Sequence, residues 1–325
     1  MKLCVTGGAG YIGSVVIERL LEKGHDITVV DDLITGHRDA VPESCRFVEG
    51  DIRDESVLKK AFESPMDAVL HFAAKSIVSE SVSNPLDYFD NNIGGAVSLL
   101  KAMRDRDVKK IIFSSSAAVY GNPQRLPIEE SDPCNPENPY GRTKRMIEVI
   151  LECSRIAWQL GFVSLRYFNA AGSTEQFGED HRPETHLLPI VLDVALGRTE
   201  ELTIFGDDYD TPDGTCIRDY IHVIDLAEAH VLALEACNDG FSGVLNLGSD
   251  KPHSVLEVVQ AVERVTGKKV NYRIGPRRRG DPPALLASSK QAEKVLGWRK
   301  RHSKLDDIIR SAHAWRLKHP SGYSR

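Results

Sequence analysis

The sequence predicts an α/β fold in which a doubly wound parallel sheet carries a smaller C-terminal α/β substrate-binding lobe. Three observations support this. Short β-branched runs alternate with helical patterns through the first half, a glycine-rich loop joins the first run to the first helix, and the rhythm changes after about residue 172.

In chain order, residues 2–6, 27–31, 46–49, 67–71, 110–114 and 163–168 are short apolar runs read as strands. Between them, residues 12–23, 56–62, 91–104 and 140–160 place apolar side chains at helical spacing. Helical crossovers of this length imply parallel pairing with both sheet faces covered. Beyond residue 172, the segment 173–185 is rich in Gly, Glu and His, and 206–214 is rich in Asp, so both read as loops. Two later helices carry caps, Asp225 ahead of 226–237, and Ser254 with Glu257 three residues on, a capping box. Residues 1–172 are expected to form the first lobe, completed by about 212–249, with 173–325 mainly forming the second.

Composition excludes whole classes. The 325 residues carry 41 Lys and Arg against 47 Asp and Glu, a net charge of -6, with 41% hydrophobic residues. That balance is poor for nucleic-acid binding, and no apolar run approaches the roughly 20 residues needed to span a bilayer. The six cysteines show no CxxC pair and no zinc spacing, so they are expected to be reduced thiols in a cytoplasmic protein.

Gly7, Gly10 and Gly13 follow the first strand and open the first helix, with Tyr11 and Ile12 between them. Such a loop gives a tight turn, close approach to a pyrophosphate and a helix N-terminus that attracts anions. Asp31 ends the second strand, where a carboxylate can bind the adenosine ribose hydroxyls, and Asp32 and Leu33 follow. The doubled carboxylate disfavours a 2′-phosphate, so the expected cofactor is NAD in a Rossmann-type domain. Asp51 and Ile52, and Phe72, Ala73 and Ala74, lie at further strand ends on the same side.

Ser114, Ser115 and Ser116 end the fifth strand, and Tyr140 and Lys144 begin a long helix at i and i+4. That spacing sets both side chains on one helix face. An ammonium near a phenol whose ordinary pKa is about 10 favours phenolate, a usable base for a hydroxyl proton. A serine hydroxyl from the strand end can hold or relay that proton.

These motifs resemble the extended short-chain dehydrogenases/reductases, and within them the UDP-glucose 4-epimerase family. The resemblance runs over nearly the whole chain. It includes Asp90-Asn91-Asn92, Phe113 to Gly121, Asn138 to Lys144, Leu165 to Asn169, Ile204 to Tyr209, Asp213 to Val223 and Pro276 to Asp281. It implies that Ser116, Tyr140 and Lys144 are catalytic, and that Asn91, Ser114 and Tyr167 stand beside NAD. It also implies that Asn169, Leu188, Phe205, Arg218, Arg278 and Asp281 surround a UDP-sugar, with Ser116 and Tyr140 at the hexose. Arginine forks suit a diphosphate, and a carboxylate such as Asp281 suits a ribose. A homodimer is implied as well, with 91–104 and 140–160 as candidate contacts.

The implied reaction inverts C4 of a UDP-hexose through a transient 4-keto sugar, with NAD held throughout. A nucleotide-sugar 4,6-dehydratase needs an extra acid and base, and its family carries Asp-Glu where this chain has Ala117-Ala118. A net dehydrogenase would accumulate NADH, and a non-catalytic dinucleotide sensor would lose the Tyr140–Lys144 pair. Leu285 stands where members restricted to glucose and galactose often carry tyrosine, leaving room for a 2-acetamido group. Thr185-His186 replaces a common Asn-Asn pair. His186 and His222 read as structural histidines, and no metal is assigned.

Overall fold

The computed structural model describes residues 1–278 and 282–324. The first half runs β1 (Lys2–Thr6), α1 (Tyr11–Glu22), β2 (Asp26–Asp31), β3 (Arg46–Glu49), α2 (Glu55–Ala61), β4 (Ala68–His71), α3 (Val78–Ser83), α4 (Pro85–Tyr88), α5 (Gly95–Asp105), β5 (Lys110–Ser116), α6 (Pro139–Trp158) and β6 (Gly161–Tyr167). Then come β7 (Asn169–Ala171), α7 (Leu187–Ala195), β8 (Leu202–Phe205), β9 (Ile217–His222), α8 (Val223–Asn238), β10 (Gly243–Leu247), β11 (Pro252–Ser254), α9 (Val255–Thr266), β12 (Tyr272–Gly275), α10 (Lys290–Leu296) and α11 (Leu305–Lys318).

Seven strands form one sheet in the order β10-β6-β5-β4-β1-β2-β3. Every neighbouring pair in it is parallel. The chain winds outward from β1 to β3, then resumes at β4 on the other side of β1. That reversal leaves a crevice beyond the C-terminal ends of β1 and β4, where sheets of this kind hold ligands.

Alternate residues of each strand enter opposite cores, as a pleat buried on both faces requires. Leu3, Val5, Ile27, Val29, Ala68 and Leu70 pack with α1 and α8. Cys4, Val30, Val69, Ile111 and Phe113 pack with α2, α5 and α6. A separate core joins α7, α9 and α11 through Leu188, Val191, Val258, Val262 and Ile308. The smaller sheets are β11-β9-β7 and β12-β8.

Several boundaries differ from expectation. The helix expected at 91–104 is an α-helical start, a π-helical turn over Phe89–Gly94, and then α5. Strand β5 runs on through Ser116, because Ser114, Ser115 and Ser116 pair with Leu165, Arg166 and Tyr167. Asp225 does not cap α8. The helix starts at Val223, and the ring of His222 accepts a hydrogen bond from the Ile224 N–H at 3.1 Å. Asp225 instead accepts from the backbone N–H groups of Arg301 and His302 at 3.1 and 2.8 Å. The capping box at Ser254 and Glu257 is present.

Candidate active site

The glycine loop is shaped by backbone rather than side chains. Gly7 has φ +73, and a Cβ there would lie 2.4 Å from the Ala73 nitrogen. A Cβ on Gly13 would lie 2.3 Å from the Gly7 carbonyl oxygen. These glycines therefore let the turn pack directly on the backbone at the end of β4 and the first turn of α1 pack on the loop itself. Gly10 opens α1 without a side-chain cap, leaving that helix N-terminus to an outside acceptor. The Tyr11 hydroxyl donates to the Gly172 carbonyl at 2.6 Å, tying the start of α1 to the residue just after β7. The Asp31 carboxylate accepts from the Ala9 and Leu33 N–H groups, both at 2.9 Å, so it fixes the turn it faces. Burial raises its pKa, while those two hydrogen bonds lower it. Leu33 takes φ +57, and Asp32 is exposed, accepting from the Ile34 N–H.

Phe72 and Ala73 donate from their N–H groups to the Thr6 carbonyl at 2.8 and 3.0 Å, closing β4 onto β1 at the crevice. Ala74 follows and is half-buried, and Ile52 is buried. The Asp51 carboxylate is taken up by Arg53, whose Nε lies 2.9 Å away. That pairing lowers the Asp51 pKa.

The serine, tyrosine and lysine singled out from the sequence come together where β5, β6 and α6 meet. Asn138 caps α6, accepting from the Gly141 N–H at 2.8 Å, a contact worth about 1 kcal/mol. A Cβ on Gly141 would come within 2.4 Å of the Ala118 carbonyl. Glycine therefore lets the first turn of α6 lie directly on the backbone after Ser116, which brings Tyr140 to that serine. Burial raises the Tyr140 pKa, and the nearby Ser116 hydroxyl offsets only part of that rise. The phenol is thus held above its ordinary value of 10.0.

Lys144 is fully buried, and its Nζ donates to the Ser114 carbonyl at 2.7 Å. The ammonium lies 5.8 Å from the Tyr140 ring centroid. The lysine therefore sits beside the tyrosine but is anchored on the strand. Burial lowers its pKa to about 7. The Ser114 hydroxyl bonds to the Tyr167 hydroxyl. Beneath them, Arg166 meets Glu148 with Nη2 to Oε2 at 2.7 Å, and Ser115 donates to the same carboxylate at 2.7 Å.

Sequence reasoning missed Asn92. Its amide oxygen accepts from the Lys75 N–H at 2.8 Å, and its NH2 donates to the Lys75 carbonyl and to Thr143 at 3.1 and 3.0 Å. The π-helical turn places this side chain, as such turns often do at functional sites. Asn91 donates to the Asn92 amide oxygen at 3.0 Å and so sits against the same bridge. The doubled Asn91-Asn92 was the available signal.

Beyond β6, Asn169 is exposed at the start of β7. Leu188 is buried in the first turn of α7. The Arg278 guanidinium lies over the Phe205 ring at 4.2 Å, and Arg218 is half-buried on β9. The Leu285 N–H donates to the Ile217 carbonyl at 3.0 Å, so residue 285 runs alongside the strand that carries Arg218. Leu285 also packs against the cluster of Ala117 and Phe168, next to Ser116. Asp281 lies outside the described residues. A second residue missed from sequence is Asp219. It accepts from Ser249 N–H and Oγ at 2.7 and 2.6 Å and from the Ala287 N–H at 3.2 Å, bracing β9 from behind.

With this geometry in place, the comparisons are concordant. Residues 3–248 match the NAD dependent epimerase/dehydratase family. The chain is 50% identical over 327 residues to a UDP-glucose 4-epimerase of Lacticaseibacillus casei, covering 99% of both. A solved UDP-glucose 4-epimerase superimposes with TM-score 0.97 at 47% identity over 100% of both chains. The UDP-glucose 4-epimerase of Bifidobacterium longum, solved with NAD+ and UDP, gives TM-score 0.93 at 42% identity, covering 99% of this chain and 100% of that one. The chain belongs to the NAD dependent epimerase/dehydratase family.

Proposed function

We propose that Tyr140, Ser116 and Lys144 carry out the reversible C4 epimerisation of UDP-glucose and UDP-galactose in this chain. The observation behind this assignment is the buried Lys144, whose ammonium lies 5.8 Å from the Tyr140 ring centroid and is held on the Ser114 carbonyl of the strand that ends at Ser116. The enzyme is NAD-dependent, and the crevice fits that cofactor because its glycines hold the turn tight against the backbone at the end of β4 and the start of α1 is left without a side-chain cap. Gly7, Gly10, Tyr11, Ile12 and Gly13 would hold the pyrophosphate. Asp31, Asp32 and Leu33 would hold the adenosine ribose, with Asp51, Ile52, Phe72, Ala73, Ala74, Asn91, Ser114 and Tyr167 around the rest.

When bound, NAD supplies a hydride acceptor at C4 and gives the hydride back. The chain must then manage the O4 proton and the orientation of the sugar. Tyr140 accepts that proton, and Ser116 holds it in line. Burial alone keeps the phenol protonated, so deprotonation requires positive charge nearby, which the Lys144 ammonium supplies in part. Arg218 and Arg278 suit the diphosphate, and Phe205, Leu188, Asn169 and Asp281 complete the nucleotide-sugar site. A 4,6-dehydratase is disfavoured because Ala117 and Ala118 offer neither the acid nor the base it requires.

Three finer assignments belong to the same reading. UDP-N-acetylhexosamines are further substrates, since Leu285 is the smaller residue at the hexose wall. The chain forms a homodimer through α6, where Met146, Val149 and Ile156 are exposed on one face, Ile156 at 84%. It works in the cytoplasm in galactose metabolism. No helix among the described residues is long and apolar enough to cross a membrane.

The test is incubation of the purified chain with UDP-glucose and no added NAD, followed by NMR of the sugar. UDP-galactose at equilibrium supports the proposal. A 4-keto-6-deoxy product indicates dehydratase activity, and an unchanged spectrum indicates a non-catalytic binder.

A further inference from the structure

Away from the reacting groups, the segment between β7 and α7 carries Glu179, His181, Glu184 and His186. The ligating atoms of all four lie within 4.8 Å of one another. We propose that these side chains form a closed site for one divalent transition metal of the zinc class, with a structural role.

The distances suit such an ion. Coordination bonds of about 2.0–2.2 Å in a tetrahedron set neighbouring donor atoms roughly 3.3–3.6 Å apart. Here His181 Nδ1 lies 3.3 Å from Glu179 Oε1 and 3.8 Å from Glu184 Oε2. His186 Nδ1 lies 2.9 Å from Glu179 Oε1 and 3.0 Å from Glu184 Oε1. These pairs lie within about half an ångström of that spacing, and the four donors together, spread over up to 4.8 Å, would contract onto the ion.

Orientation and charge agree. Both His181 Nδ1 and Glu184 Oε2 are buried without a hydrogen-bond partner, whereas His186 Nδ1 bonds to Glu184 Oε1 at 3.0 Å, a contact that the ion would replace. Two carboxylates with two neutral imidazoles carry the charge that neutralises a dication. Two nitrogen and two oxygen donors without thiolate suit zinc and its first-row neighbours rather than calcium or magnesium. Four protein ligands leave no open position for a reacting water, hence the structural role.

The placement shows what the ion would stabilise. The His181 ring meets the Tyr11 ring edge-on at 6.4 Å, and Tyr11 opens α1. His186 directly precedes α7 and its Leu188. Glu184 accepts from the Thr185 and His186 N–H groups, both at 2.8 Å, which presents its carboxylate to the cluster. A metal here would lock together the helix starts that face the cofactor and the nucleotide sugar. The spacing Glu-x-His-x-x-Glu-x-His has no helical or strand period, so it is not evident in the sequence.

The competing state is a metal-free ion-pair cluster, with protonated imidazoles neutralising the carboxylates. To separate the two, the untagged full chain is incubated with equimolar zinc sulfate and desalted, and its metal content is measured by mass spectrometry. The expected result is one zinc retained per chain. It should be lost in the His181→Ala/His186→Ala double variant, with NAD content unchanged. Zinc should also raise Tm with increasing concentration in the parent chain only. Cobalt(II) added to the parent chain should give the intense visible bands of a tetrahedral site, a reading that needs no variant. Zinc absent from the desalted parent chain, or equal retention by the double variant, overturns the proposal, as does a weak octahedral cobalt spectrum.

Discussion

The Lys144 ammonium donates to the Ser114 carbonyl oxygen at 2.7 Å, across from α6 to the end of β5. This bond fixes the helix that carries Tyr140 to the strand that carries Ser116. It also gives a buried cation a partner, without which its burial would cost several kcal/mol. The lysine is therefore both a source of positive charge and a brace.

Replacing Tyr140 with phenylalanine should lower kcat by about 100-fold to 10,000-fold, the usual contribution of a positioned proton acceptor. The ring would still fill its half-buried site, so Tm should fall by little and bound NAD should remain. Rates come from conversion of UDP-glucose, and NAD content from the denatured protein. Turnover near that of the parent would remove Tyr140 from its assigned role.

The lysine makes a pH-dependent prediction. Burial lowers the Lys144 pKa from 10.5 to about 7, so between those values the unfolded chain binds more protons than the folded one. Stability contributed by this group therefore rises with pH across that window, and below about 7 the folded chain carries the full cost of a buried cation. In the chain freed of NAD, Lys144→Met should gain most in Tm relative to the parent below about pH 7, and the gain should shrink toward 10.5. A difference that does not vary with pH would show that the ammonium is not desolvated.

Much of this was legible in the sequence because local patterns carried it. The strands of the first half, the glycine loop and the Tyr140–Lys144 spacing all follow from short-range periodicity, and β1 and β3 kept their expected bounds. What was not legible depends on contacts distant in sequence. Asn92 acts through Lys75 and Thr143, 17 and 51 positions away. Asp219 acts through Ser249 and Ala287, on segments joined only by the fold. Asp225 looked like a cap because its type and position fit, but the His222 ring took that place. The anchoring of Lys144 on Ser114 was equally invisible, since i,i+4 spacing suggests only its neighbour on the helix.

Gly7→Ala should disable the cofactor site and destabilise the fold together. Its φ of +73 costs an L-residue at least about 1 kcal/mol. The new Cβ would lie 2.4 Å from the Ala73 nitrogen, a backbone atom that cannot turn aside. Loss of NAD on purification with a lower Tm is expected. Full NAD content with an unchanged Tm would mean that this turn does not need glycine.

Asp31→Ala separates the two tasks of that carboxylate. It removes the acceptor for the Ala9 and Leu33 N–H groups, each bond worth about 1 kcal/mol, and the proposed acceptor for the adenosine ribose. NAD should be lost more readily on gel filtration, and Tm should fall even when NAD has been stripped from both proteins. Unchanged NAD retention would contradict the ribose assignment, while the drop in Tm would report the turn alone.

Leu285→Tyr tests the breadth of substrates. Leu285 is half-buried, its N–H donates to Ile217 on the strand of Arg218, and its side chain packs with Ala117 and Phe168 beside Ser116. A larger ring there would occupy the space assigned to a 2-acetamido group without touching the proton path through Tyr140. UDP-N-acetylglucosamine turnover should fall by about 10-fold to 100-fold, as expected when a hydrophobic wall loses a fit worth 1–3 kcal/mol. UDP-glucose turnover should change by less than that. Equal losses for both substrates would show that residue 285 shapes the site as a whole. No turnover of the N-acetylated sugar by the parent chain, with UDP-glucose reacting, would remove it from the substrates.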